Sequence, residues 1–134
     1  MRFGSVISII LLMFGCFAQA KTLKDMSEEE QLGTTAGLAL ACGSEKKLED
    51  FELISSRLIA NNAATEEEEK QKIRVYMQAK WNALQQQKGG SGISCSEILS
   101  HFDALPLFDS IVYGDGSVKL PDGKWSRPKR PVKR

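Results

Sequence analysis

Few residues in this 134-residue chain have the chemistry for catalysis or metal binding. His101 is the sole imidazole, and Cys95 stands six residues before it. On a helix that spacing is about 240° of rotation, so thiol and imidazole do not share a face and cannot work as a nucleophile and base. Glu97 does share the face of His101, and reads as an ordinary surface pair at i,i+4. One histidine also rules out a cysteine–histidine zinc cluster. The chain holds no nucleophile elbow, phosphate loop, zinc-protease helix motif or calcium loop. The aspartates of "GDGS" and "PDG" belong to turns and lack calcium-loop spacing. These residues predict neither an enzyme nor a cofactor.

Chemistry of another kind is left to the cysteines and the C-terminus. Cys42 and Cys95 remain after the apolar leader and form no CxxC pair, so they are read as one structural disulfide. The chain ends "SRPKRPVKR", a run with no bulky apolar residue. From Lys119 to Arg134 there are seven basic residues against one acidic, whereas Lys21 to Val118 carries 10 basic and 16 acidic. An acidic body therefore bears a basic tail, with Trp125, Arg127, Lys129, Arg130, Lys133 and Arg134 as the candidate partner-binding residues. Such a tail can contact a polyanion (a lipid headgroup or envelope polysaccharide) or an acidic protein surface. Nucleic acid fits poorly, because the body is acidic and no aromatics interleave the basic groups. Trp125 is read as an anchor docking the root of the tail.

The leader gives an address. Arg2 precedes the apolar run "VISIILLMFGCF", and Ala18-Gln19-Ala20 has the small-x-small form of a signal peptidase site. The run is too short to cross ~30 Å of hydrocarbon as a helix. Residues 1–20 are thus expected to be a signal peptide, leaving an exported chain, periplasmic or secreted, with no transmembrane segment. A lipid anchor at Cys16 fits less well, since Met13 and Phe14 depart from the lipoprotein pattern.

Elements that would carry these residues follow from caps and periodicity. Ser27 with Glu30 forms a capping box opening a helix that stops at Gly43, and Gly33, Gly37 and Ala41 lie on one face of it, suited to a close helix crossing. Leu48, Phe51, Ile54 and Leu58 make an amphipathic stripe ending near Asn61-Asn62. A third helix opens at Thr65 with Glu68, places Glu66–Glu69 at the positive end of its dipole, and runs to about Gln87. Ile73, Tyr76, Met77, Lys80, Trp81 and Leu84 are expected on its inner side. After "GGSGI", Ser94 caps a fourth helix with Cys95, Ile98, Leu99, Phe102 and Leu105 inward, bounded by Pro106. A short hairpin should follow, Val112-Tyr113 facing Val118-Leu120.

The expected fold is mostly α: a small up-and-down bundle of about four helices closed at one end by Cys42–Cys95, a C-terminal hairpin or extended segment, and a disordered basic tail. The domain is expected over residues 21–125 and the tail over 126–134. The expected function is non-enzymatic: an interaction or adaptor protein of the cell envelope or secreted space. A polyanion-binding role through the tail, or a small periplasmic chaperone, are the alternatives.

Overall fold

A computed structural model describes residues 26–90 and 93–130. The signal-peptide reading of residues 1–20, Cys16, the middle of the "GGSGI" connector, Lys133 and Arg134 all lie outside the described residues. The chain is mostly helical: α1 Glu28–Ala41, α2 Lys46–Asn61, α3 Glu66–Lys88 and α4 Cys95–Asp103, then a 3-10 turn at Pro106–Asp109. Three two-residue strands follow, β1 Ile111–Val112, β2 Val118–Lys119 and β3 Trp125–Ser126, in an antiparallel sheet of order β1-β2-β3. None of the described helices is long and apolar enough to cross a membrane.

Three helices, α1, α3 and α4, start as their cap residues dictate, whereas α2 begins behind Glu45 with no side-chain cap. The Ser27 hydroxyl accepts from the Glu30 amide at 3.2 Å, and the Glu30 carboxylate accepts from the Ser27 amide at 3.2 Å. Thr65 caps α3 likewise, but the Glu68 carboxylate reaches the amide of Ala64 rather than that of Thr65. Ser94 accepts from the Glu97 amide at the start of α4. At the end of α1, Gly43 takes φ +87°, and the amides of Gly43 and Ser44 close onto the carbonyls of Leu40 and Ala39. A left-handed residue is needed there, which is why glycine serves.

The small-residue face of α1 sets the architecture. A Cβ on Gly33 would fall 2.2 Å from the Tyr76 carbonyl oxygen, and one on Gly37 would fall 2.2 Å from that of Lys80. The nearest side chains there are Ala79 and Ala83. Contacts on both helices advance together by four residues, so α1 and α3 run parallel with their backbones touching. This agrees with an up-down-up course for the first three helices. Leu48, Phe51, Ile54 and Leu58 of α2 bury as their spacing predicts, with Ile98 and Phe102 of α4 and Leu105 beyond it. Phe51, Phe102 and Phe108 form an aromatic cluster with neighbouring ring centres 5.4–6.3 Å apart.

Two expectations are corrected. Ile73, Met77 and Trp81 do not point inward: they are 39%, 53% and 57% exposed, while Tyr76 and Ala83 are buried. At backbone contact there is room only for alanine and for side chains that leave sideways, so the inner line of α3 is Tyr76-Ala79-Lys80-Ala83. The hairpin also pairs differently, Ile111 with Lys119 and Val112 with Val118. Tyr113 is consumed by the turn, where its carbonyl accepts from the Gly116 amide and its amide donates to the Ser117 carbonyl.

Cys42 and Cys95 are disulfide-bonded with their Cα atoms 5.2 Å apart, joining the end of α1 to the start of α4. The cross-link closes a loop across a sequence separation of 53 residues. In the chain-entropy account such a loop is worth about 4 kcal/mol.

Candidate interaction surfaces

The C-terminal sheet has two unlike faces. Strand alternation turns Val112, Val118 and Ser126 to one side, where Val118 and Ser126 are buried. The register places Ile111, Lys119 and Trp125 in one row on the other side. Trp125 is half-buried there, its ring centre 5.3 Å from that of Tyr113. The Arg127 guanidinium lies 4.6 Å from the Trp125 ring centre and the Lys119 ammonium 5.9 Å from it. Cations over an indole face gain from the ring quadrupole. At the root of the basic segment, Trp125 thus has Tyr113, Lys119 and Arg127 around its ring.

One buried amide fastens this sheet to the bundle. The Asn61 side-chain nitrogen donates to the carbonyls of Gly116, at 2.9 Å, and Ser126, at 3.2 Å, with the Ser126 hydroxyl 3.1 Å away. Asn61 is therefore more than a helix stop. Its role has no local sequence signal, because its acceptors lie 55 and 65 residues further on.

The candidate binding residues do not gather into one patch. Trp125 and Arg127 stack together and Lys129 is exposed, but Arg130 turns back and forms an ion pair with Glu69 in the first turn of α3. Contact with the bundle thus continues past the expected domain limit at residue 125. A cleft of about 340 Å³ opens at this junction, lined among others by Arg57, Asn61, Glu66, Ile73 and Pro128. Its walls carry both charges. A shallower groove lies between α2 and β1, bordered by Lys47, Leu53, Phe108 and Val112. Lys133 and Arg134 lie outside the described residues.

Beside the α1–α3 contact, the hydroxyl of Tyr76 donates to Glu52 Oε2 at 2.5 Å, and Lys80 Nζ donates to the same oxygen at 2.8 Å. Burial, reinforced by the Glu52 carboxylate, pushes the Tyr76 hydroxyl far above the usual tyrosine range. It is a proton donor locked in a structural network tying α2 to α3, not a base. Among the described residues, no three histidine, cysteine, aspartate or glutamate side chains converge as a metal would require.

Among the described residues, the most pronounced unburied apolar feature is on α3. Ile73, Met77 and Trp81 recur every fourth residue and form a continuous ridge beside the inner line. Polar or charged exposed residues border it, among them Lys70, Arg74, Gln78 and Gln85. Sequence periodicity alone assigned these residues to the core. The signal that would have corrected it was the Ala79/Ala83 pair, spaced to match Gly33/Gly37.

No protein-family model, curated protein or solved structure matches the chain.

Proposed function

We propose that this is a non-enzymatic interaction protein, an adaptor exported to the cell envelope or secreted space, whose docking face is the Ile73-Met77-Trp81 line of α3, which runs from the rim of the cleft beside α2 out to Trp81. The observation that carries this reading is the exposure of Trp81, Met77 and Ile73 on one helical line. Single exposed apolar residues are ordinary, whereas an aligned ridge containing tryptophan and methionine has the composition of an interface centre. The disulfide suits an oxidising compartment, in keeping with the signal-like leader. The test is capture of partners from the native compartment with the wild-type chain and with Trp81→Glu. The partner should be retained by the first and lost by the second, while Arg127→Glu combined with Lys129→Glu, both exposed, leaves capture intact.

A second reading rests on the stacking of Arg127 and Lys119 about Trp125 beside the exposed Lys129. This arrangement, extended by the basic tail, suits a polyanion such as an anionic lipid headgroup or polysaccharide. Binding of that kind would weaken steeply with salt and disappear in Arg127→Glu combined with Lys129→Glu. It would be indifferent to Trp81→Glu.

A further inference from the structure

We infer that the occupant of the α3 ridge is the same ridge of a second copy of this chain, in an antiparallel two-fold pair centred on Met77. This rests on the docking face proposed above and names what covers it. Ile73 and Trp81 stand four residues to either side of Met77. In an isologous contact, a residue before the centre in one copy meets the residue equally far beyond it in the other. Met77 therefore meets its counterpart, and Ile73 packs against Trp81 at both ends, a medium side chain against a large one. A parallel pair would set tryptophan on tryptophan and leave a gap beside isoleucine.

Charge points the same way. The first turn of α3 is acidic, Glu66–Glu69, and its last turn carries Lys88. Exposed Glu67 lies ten residues before Met77, beside the ridge, and exposed Lys88 eleven residues after it, on the line of the ridge. An antiparallel pair brings Glu67 of one copy near Lys88 of the other, twice by symmetry, while Glu68 and Glu69 stay with the Ala64 amide and Arg130 of their own chain. A parallel pair would bring the two acidic turns together. The helix dipoles also oppose favourably only in the antiparallel arrangement. Arg74 and Lys80 lie equally far from the centre but on opposite flanks, and Lys80 is turned away to Glu52. They therefore do not confront each other. Exposed Gln78 and Gln85 supply a polar, uncharged rim.

The 23-residue helix is a rod of ~34 Å. A contact along it is at the small end of stable interfaces, ~600 Å² per partner, so association is expected in the micromolar range. The experiment is sedimentation equilibrium of the disulfide-bonded protein from about 1 to several hundred micromolar. The wild-type mass should rise from one chain to two across that range. Trp81→Glu should remain at one chain throughout, and Lys88→Glu should weaken pairing about tenfold, each change counting twice by symmetry. Glu67→Lys combined with Lys88→Glu should recover most of that loss. All three sites are exposed, so the thermal midpoint at low concentration should match wild type and exclude misfolding as the cause. A wild-type mass of one chain at the highest concentration overturns the inference, as does pairing that survives Trp81→Glu. If the wild type stays monomeric yet a different protein is captured and lost with Trp81→Glu, self-pairing falls and the docking face stands. If Trp81→Glu alters neither, both fall.

Discussion

Where α1 crosses α3 the two backbones touch, with Gly33 and Gly37 against the carbonyls of Tyr76 and Lys80. Where the C-terminal sheet meets the end of α2, one side-chain amide spans the gap and satisfies two carbonyls at once. The first region is stabilised by closeness spread over many atoms, the second by a few directed bonds around Asn61 and the stacked rings of Tyr113 and Trp125. Each two-residue strand is too short to stand alone, so the sheet depends on what it rests upon. A packed seam should therefore yield to added volume, whereas a directed joint should yield to a change of donor.

The largest effect should come from cutting the tie between the two regions. The Cys42–Cys95 bond fixes the end of α1 to α4, from which the chain passes through the 3-10 turn into the sheet. Replacing both cysteines by serine should cost about 4 kcal/mol on the loop-entropy argument. In chemical denaturation this would appear as a lower midpoint, with reduction of the wild type giving the same shift. Asn61→Asp comes next. It sets a carboxylate against three oxygens that had shared a donor, leaving buried acceptors unpaired beside a charge. A loss of about 3 kcal/mol is expected near neutral pH, and amide exchange should rise first in the segment holding β2 and β3. Gly37→Ala tests the seam. Its methyl would meet backbone that cannot swing aside, so α1 must shift; the strain outweighs the ~1 kcal/mol gained in helix propensity. A net loss of about 2 kcal/mol is expected, with the sheet's exchange unchanged relative to the rest.

The two regions differed as much in how they could be read from sequence. Periodicity and caps located the four helices, because each signal is local: Ser27 with Glu30, or Leu48 with Phe51 and Ile54. The close crossing was legible from Gly33 and Gly37, since only adjacent backbone makes paired mid-helix glycines worth their cost. The same periodicity misdirected Trp81 and Met77. A helix with apolar residues on two adjoining lines admits two inward faces, and Ala79 and Ala83 decide between them only when matched to the glycines of another helix. Strand β3 was missed because Trp125-Ser126 is too short to show alternation and sits between "PDG" and a proline-rich basic run. Trp125 and Arg127 were recognisable as a pair by proximity in sequence. The return of Arg130 to Glu69 was not, since nothing local sets the direction of a chain leaving a strand.

The smallest effect should separate the two regions by pH. The Asp115 carboxylate accepts from the Ser117 amide at 2.9 Å in the turn between β1 and β2. That bond holds its carboxyl below the ordinary aspartate value of 3.8, with the nearby Arg127 charge contributing in the same direction. A folded value lower than the unfolded one means that the turn's contribution is fully present above the ordinary value. It is lost as pH falls through the lower, folded one. Asp115→Asn keeps an acceptor oxygen without a charge to neutralise. The difference in thermal midpoint between wild type and Asp115→Asn should therefore be constant near neutrality and shrink as pH falls below the ordinary aspartate value. Gly37→Ala provides the contrast: Gly33, Gly37, Ala79 and Ala83 carry nothing that titrates, so its displacement from wild type should show no inflection in that window. A matching inflection for Gly37→Ala would mean that acid loosens the seam as well, and that the two regions are not independently held.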